Sequence, residues 1–528
     1  MGRSSPCPAT NVLIIQFMTI PIVDIFAGPG GLGEGFSNLK DTNGERVFKI
    51  ALSIEKNYWA HQTLEMRSFF RQFEEVPEAY YDYLRGRIAR STLFSMHPCE
   101  AKAAKREAVM AELGNSDHQT IISDSLQLAI PADGPWILIG GPPCQVYSVM
   151  GRSRMRGNGQ AFLDDKRHLL YREYLNIIAG YSPDLFIMEN VKGILSSKAG
   201  VRAGQSAMFQ QVRNDLEHPG LSIEGQEGAG KELKYRLYSF VVPRHLGHRL
   251  RPQDFIVKCE EYGIPQSRHR VVILGIRDDI KTEPGTLSPV PKAPTVRQMI
   301  NDLPKLRSAL SRQEDSAKLW HETVVGIKQQ ELFLTIEESI RNHIEKYLPF
   351  IATNLNTGSE WIEGKADPEE LKNWVQDSRL AGTCNHTARA HMRTDLYRYL
   401  FAACYSEVHN VSPQTQHFPP ALLPDHINIA SGDFDDRFRV QLAGRPSTTV
   451  TSHISKDGHY HIHYDPSQCR SLTVREAARL QTFPDNYFFE GSRTQQYQQV
   501  GNAVPPLLAF KMAEIVYKLF SDTESSAL

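Results

Sequence analysis

The sequence predicts an α/β fold: a doubly wound, Rossmann-like, mostly parallel sheet with a long inserted domain. Three observations predict it. First, Ile20 to Phe26 is an apolar strand that runs directly into Gly28-Pro29-Gly30-Gly31-Leu32-Gly33, and Leu32, Phe36 and Leu39 then recur at helical spacing. Strand, glycine turn and helix in that order open a doubly wound sheet. Second, the apolar runs Trp136–Ile139 and Leu185–Met188 each lead to a chemically active side chain, Cys144 and Glu189, at the carboxyl edge where such sheets bind ligands. Third, the strand-helix rhythm stops after Arg277. Residues 278–440 are richer in Pro, Asn and His and form a separate domain, and helical patterning returns from Leu472.

With 528 residues the chain has room for two domains, or for one domain with a long insertion. Lys and Arg number 59 and Asp and Glu 60, so the net charge of −1 carries no polyanion-binding signature; any such surface must come from local basic clusters. The seven cysteines are scattered and include no C-x-x-C pair, which fits a reducing, cytoplasmic compartment and argues against a disulfide scaffold or zinc ribbon. No apolar run reaches transmembrane length, so no membrane partner is expected. The weakly apolar start lacks the basic and cleavage segments of a signal peptide. Met18 stands just before the first strand, so residues 1–17 are expected to be a dispensable extension.

Taken in order, Gly28, Gly30 and Gly33 match G-x-G-x-x-G, which brings a nucleotide-like ligand to a helix N-terminus. The strand Phe48 to Ile54 ends in Glu55, about twenty residues on, where a carboxylate accepts hydrogen bonds from ribose hydroxyls. Residues 58–115 are charged, aromatic and helix-like, an insertion whose tyrosines Tyr80, Tyr81 and Tyr83 are expected to form local core. Thr120-Ile121-Ile122 reads as a short strand, and Asp124 behind it either reaches an adenine amino group or caps a turn. Gly140-Gly141-Pro142-Pro143 is a stiff stop that presents Cys144 as a nucleophile. Val146 to Asn158, with Arg152, Arg154 and Arg156, reads as a basic flap that closes on an anionic polymer.

Asp164 to Ala179 is an amphipathic helix, and Glu189 ends the strand after it. Tyr235–Val242 and Phe255–Lys258 read as further strands. Arg268 and Arg270 alternate ahead of Val271–Ile276, so they are expected to share one face. Cys384, His386 and His391 lack the partner pair of a metal site, and no metal is expected. Arg445 precedes Ser447-Thr448-Thr449, a combination suited to phosphate contacts. Thr473 and Glu476 have capping-box spacing, and Gly501–Pro506 is a second stiff turn that leads into an apolar helix from Leu507 to Phe520.

In this order the motifs resemble those of the C5-cytosine-specific DNA methyltransferase family. Val23-Asp24-Ile25-Phe26-Ala27-Gly28-x-Gly30-Gly31 resembles its S-adenosylmethionine loop, and Gly141-Pro142-Pro143-Cys144-Gln145 its nucleophile turn. Glu189-Asn190-Val191 resembles the glutamate motif, and Gln266-x-Arg268-x-Arg270 the arginine motif. Arg475–Pro484 and Gln499–Pro505 resemble its last two blocks. Val146-Tyr147-Ser148 departs from the small residue, Phe, Ser of the family pattern. The resemblance implies S-adenosyl-L-methionine as cofactor, held by Phe26, Ala27, Gly28, Gly30, Gly31, Leu32, Glu55, Asp124, Pro142, Asn502 and Val504. It implies a catalytic domain over 18–277 and 441–528, with a target recognition domain over 278–440. It also implies double-stranded DNA as partner and a monomer of prokaryotic cytoplasm, acting in restriction-modification or phage defence beside companion proteins.

The chemistry follows from the residues as well. Addition of the Cys144 thiolate at C6 turns C5 of cytosine into a carbon able to accept a methyl group. Glu189 donates a proton at N3 and reads the exocyclic amine. Arg270 holds the O2 side, and Arg268 supports it or touches phosphate. The base that removes the C5 proton is not identified by the sequence. The cytosine must be flipped out of the stack to be reached. Arg389, Arg393 and Arg398, spaced near one helical turn, are expected to share a DNA-contacting face of the recognition domain. The rival readings are an RNA cytosine methyltransferase, a nicotinamide-dependent oxidoreductase and an inactive DNA-binding module. The long 278–440 region favours DNA over RNA, and Cys144, Glu189 and the arginines leave the other two unsupported.

Overall fold

The computed structural model describes residues 19–143, 166–195, 207–222, 233–244, 249–423 and 436–525. The expectations for the 1–17 extension, for Cys144 and for Arg152, Arg154 and Arg156 fall outside the described residues.

The sheet is built from β1 (Ile20–Ile25), β2 (Phe48–Glu55), β3 (Ala108–Met110), β4 (Ile137–Gly140), β5 (Leu185–Val191), β6 (Tyr235–Tyr238), β7 (Ile256–Lys258) and, after the short β8 (Gln266–Ser267), β9 (His269–Arg277). Its order is β3-β2-β1-β4-β5-β9-β6, with β7 also paired to β9. β1 to β5 are mutually parallel, and β9 runs against β5, β6 and β7. This is the mostly parallel, doubly wound sheet that the sequence predicts. The chain steps outward from β1 to β3, then restarts on the other side of β1 with β4. The carboxyl ends of β1 and β4 therefore border the switch-point crevice, with Ile25 opposite Gly140 at its floor.

Alternation sorts the strand side chains into two layers. Ile20, Ile22, Ile50 and Ile139 pack with Phe36 of α1 (Gly31–Ser37) and with Leu508, Met512 and Val516 of the final helix, Pro506–Ser525. Val23, Ile25, Leu52 and Leu138 pack on the other face with Tyr174 and Ile178. Each such buried side chain contributes about 1.5–3 kcal/mol. α1 lies directly on the final helix because residue 35 is glycine: a Cβ there would stand 2.3 Å from the Pro506 carbonyl oxygen. The end of the chain thus returns to the glycine turn at its beginning.

Two expectations are corrected. Thr120–Ile122 is not a strand; it lies in the helix Gln119–Ala129, which buries Ile122 and Leu126 one turn apart and leaves Ile121 exposed. Three apolar residues are too few to distinguish a period of 2 from one of 3.6. The strand beside β2 is instead β3, which falls inside the stretch expected to be all-helical insertion. The second correction concerns the boundary at 440/441. One buried core runs from Val296 to Ala503, so residues 441–503 pack with the 278–440 region and not only with the sheet.

The insertion itself has helices at Tyr58–Arg71, Glu78–Leu84, Arg90–Met96 and Pro98–Glu107. Tyr80 and Tyr81 are buried in its core as expected, joined there by Leu380 and Cys384 of the second region. Among the described residues no helix is long and apolar enough to cross a membrane.

Candidate active site

The glycine turn leaves β1 through left-handed backbone. Phe26 has φ 56°, Gly28 58° and Gly30 96°. Phe26 carries a Cβ in that region, a strain of about 1–3 kcal/mol that must be held by its surroundings. Two anchors hold the turn to β2: Ala27 N–H donates to the Ile54 carbonyl at 3.1 Å, and Gly28 N–H donates to Glu55 Oε2 at 2.9 Å. Glu55 Oε1 accepts from Asn57 N–H at 2.6 Å. Burial raises the Glu55 pKa even against these donors. The far side of the turn is closed by the end of the chain. A Cβ on residue 31 would stand 2.2 Å from the Val504 carbonyl oxygen, and one on residue 30 would meet Leu64 at 2.8 Å and the Tyr487 hydroxyl at 3.1 Å. On residue 28 nothing lies within 4 Å of a Cβ, so the turn is open on that side. Leu32 is buried in the core beneath. Asn502 is exposed at the C-terminus of the helix Arg493–Asn502.

Across the crevice, β4 stops at Gly140 and residues 141–143 approach β5. A Cβ on residue 141 would lie 3.1 Å from Glu189 Oε2, and Asn190 Nδ2 donates to the Pro142 carbonyl at 3.3 Å. The turn that leads to Cys144 therefore begins against the Glu189 carboxylate. Arg270 Nε stands 3.0 Å from Glu189 Oε1, and both side chains are 14% exposed, reachable but mostly desolvated. That oxygen makes an ionic contact without an aligned hydrogen bond, which leaves acceptor capacity on it. Asn190 received no role from its sequence context, although its place beside Glu189 on the strand was the available signal.

Arg268 does not share a face with Arg270. It falls in the break between β8 and β9, is buried, and donates from Nη1 to the Val450 carbonyl at 2.9 Å and the Gly501 carbonyl at 3.3 Å. Gln266 acts beside it: its side chain donates to the Leu480 carbonyl at 3.2 Å and accepts from Val450 N–H at 2.8 Å. These two side chains join the arginine motif to the last two blocks. Asp124 is exposed in the middle of the helix Gln119–Ala129. The ligand edge beside β2 holds Met110 and Glu112 instead, with a Lys56–Glu112 ion pair at 2.9 Å across it.

The basic stretch of the second region also divides. The helix begins only at Arg393, so Arg389 lies outside it. Arg389 spends its donors on the carbonyls of Ile454 at 2.6 Å and Ser455 at 3.2 Å, with its guanidinium over the Tyr497 ring. Arg398 is buried, paired with Asp395 at 2.8 Å. Arg393 is exposed, with Nε donating to Tyr397 Oη at 3.0 Å, and Arg445 is exposed. The expected shared face of Arg389, Arg393 and Arg398 is thus absent. Among the described residues no cluster could hold a metal ion. His386 sits between Thr473 Oγ1 and the Pro304 carbonyl, both at 2.8 Å, and burial lowers its pKa to about 4.

The C-5 cytosine-specific DNA methylase family matches residues 110–518. The type II methyltransferase M.Bpa9945I of Bacillus paralicheniformis is 31% identical over 525 residues, covering 94% of this chain and 98% of its own. The type II methyltransferase M.DdeI of Desulfomicrobium norvegicum is 26% identical over 513 residues, covering 95% and 89%.

Proposed function

The chain belongs to the C-5 cytosine-specific DNA methylase family and is a DNA cytosine-5 methyltransferase; on that premise we propose that it methylates C5 of a cytosine flipped out of a specific double-stranded DNA sequence, using S-adenosyl-L-methionine, with Cys144 as nucleophile and Glu189 as the acid. The observation that carries this is the approach of residues 141–142 to Glu189 and Asn190, with Arg270 on the other side of the carboxylate. A nucleophile turn and a proton donor brought to one carboxyl edge can act on opposite sides of one ring, the thiol at C6 and the acid at N3.

The glycine turn fits the cofactor on two grounds. Gly28 leaves open the space that a side chain would fill, and Glu55, already tied to that turn, offers carboxylate lone pairs to a ribose diol. When bound, S-adenosyl-L-methionine supplies an electrophilic methyl group. Phe26, Ala27, Gly28, Gly30 and Gly31 shape its pocket, with Pro142, Asn502 and Val504 on the facing walls. Leu32 supports the turn from the core. Asp124 is left out, because it stands in mid-helix.

At the base, the Cys144 thiolate forms a bond to C6 and the C5–C6 π electrons move into the ring. Glu189 delivers a proton at N3 as that charge develops and accepts from the exocyclic amine. Arg270 orients the Glu189 carboxyl and faces O2. Once C5 is alkylated, N3 returns its proton to Glu189, and loss of the C5 proton expels Cys144 and restores the aromatic ring. Arg268 is a positioning residue that ties the arginine motif to Gly501. Arg152, Arg154, Arg156, Arg393 and Arg445 supply phosphate contacts. The type II relatives support the role of a modification enzyme in restriction-modification, alongside a nuclease of the same specificity. Incubation with labelled S-adenosyl-L-methionine and either duplex DNA or RNA tests the substrate, and bisulfite sequencing then yields the target site. Label incorporated into RNA but not DNA would overturn this assignment.

A further inference from the structure

A second buried polar assembly lies behind the glycine turn, away from Glu189. Tyr487 is fully buried, and its hydroxyl donates to the Pro29 carbonyl, between the two left-handed glycines of the turn. The Arg67 guanidinium lies over the Tyr487 ring, 4.9 Å from its centre. Arg67 also grips Glu34 of α1 with two parallel hydrogen bonds, at 2.8 and 2.5 Å, and donates to Asn486 Oδ1 at 3.0 Å. Glu34 is one turn into the helix that the glycine turn starts, its N–H bonded to the Gly30 carbonyl at 2.8 Å. Asn486 in turn donates to Asp377 Oδ2 at 2.6 Å, and Tyr81 donates to the same oxygen at 2.7 Å. Asp377 belongs to the 278–440 region. A continuous chain of hydrogen bonds thus leads from that region through Asn486, Arg67 and Glu34 to α1, and Tyr487, next to Asn486, holds the turn itself.

We propose that Tyr487 is a positioning residue for the glycine turn, and that the Asp377–Asn486–Arg67–Glu34 chain makes the shape of that turn depend on how the 278–440 region is seated. The proposal rests on the reading of the glycine turn as the cofactor site. Its physical basis is that Phe26, which carries a Cβ, is held in a left-handed backbone conformation that persists only while its surroundings over-determine it. The bidentate Arg67–Glu34 pair, 4% and 1% exposed, tolerates little displacement, because a buried charge that loses its partner is costly. Movement at Asp377 is therefore transmitted to Arg67 and α1 instead of being absorbed between them.

The test uses the full-length chain and S-adenosyl-L-methionine itself. Tyr487→Phe keeps the ring under Arg67 and removes only the hydroxyl. We expect calorimetry to give a cofactor affinity about ten-fold weaker, with kcat at saturating cofactor and DNA affinity close to wild type. Asp377→Asn is expected to weaken cofactor affinity in the same sense although it lies outside the pocket, and the double variant to lose less than the product of the single losses. Wild-type cofactor affinity in Tyr487→Phe overturns the positioning role. If that variant does not fold, Asp377→Asn tests the chain from its far end, and unchanged affinity there overturns the coupling, as does strict additivity in the double variant. Glu55→Ala separates the two levels. If it weakens cofactor binding while Tyr487→Phe does not, the site stands and the strap falls; if neither does, the cofactor reading falls with it.

Discussion

Arg270 and Glu189 form an ion pair across the sheet: Nε of the arginine stands 3.0 Å from Oε1 of the glutamate, on antiparallel strands whose register sets Val191 opposite Arg270 and Glu189 opposite Val272. The pair is diagonal on the sheet, within reach of a long side chain. We expect Glu189→Gln, which cannot deliver a proton, to lower kcat by about a hundred-fold or more. Arg270→Ala should lower kcat in the same direction, because the carboxyl loses its orienting partner. Cofactor affinity should change little in either. Single-turnover rates alongside cofactor titrations check this, and a loss confined to cofactor binding would remove the pair from the chemistry.

Cys144→Ala is expected to abolish methyl transfer while the cofactor still binds. In the proposed mechanism the thiol acts on the base, whereas the proposed cofactor pocket is formed by the glycine turn and Glu55. Trapping with a cytosine analogue that cannot release the enzyme gives a direct readout: the covalent complex should form with wild type and not with the variant. Turnover near wild type in Cys144→Ala would defeat the covalent mechanism.

Glu55→Ala should weaken cofactor binding more than it weakens DNA binding, by about ten- to a hundred-fold, the value of charge-assisted hydrogen bonds of about 1.5–3 kcal/mol. The structure adds a second reason, since the same carboxylate holds Gly28 N–H. Glu55→Gln keeps an acceptor for that N–H, so it should recover part of the affinity. Equal losses in the two variants would mean that charge alone matters there.

The arginines of the second region should behave differently from one another. Arg393→Ala is expected to weaken binding to all DNA sequences alike and to reduce the salt slope by about one. Arg389→Ala should instead lower thermal stability, because three carbonyls at Ile454–Lys456 lose their donor. DNA binding at two salt concentrations, with melting curves for both variants, distinguishes the roles. A salt slope that changes in Arg389→Ala but not in Arg393→Ala would reverse the assignment.

Asp24 gives a pH dependence. Its carboxyl is buried in β1 beneath Gly33, and desolvation pushes its pKa up from 3.8 to about 8, against the opposing pull of Arg71. The native state therefore holds a proton that the unfolded chain releases. The stability this contributes is full below about pH 4 and is lost as the pH rises towards 8. Asp24→Asn carries no such proton, so its melting temperature relative to wild type should rise between pH 5 and pH 8. A constant difference across that range would show that Asp24 does not titrate as its burial requires.

Much of this molecule could be read locally. The strand–glycine turn–helix start, the approach of β4 and β5 to one edge, Glu189 near the end of its strand and the Thr473–Glu476 capping box are all present as expected. Each depends on neighbours within a few residues, where period, turn chemistry and capping act directly. What a side chain faces across the fold was not available in that way. Arg268 and Arg270 look equivalent in sequence, but one is buried on backbone carbonyls and the other pairs with Glu189. Arg389 looks like a phosphate ligand and instead binds the carbonyls after Val450. Tyr487 and Pro29 are 458 positions apart, so no local pattern joins them. The order and type of elements follow from short-range preferences that any window of sequence contains. Which arginine remains free for a ligand, and which segment closes the glycine turn, were decided only when distant segments packed together, because buried donors and acceptors must find their partners wherever the fold brings them.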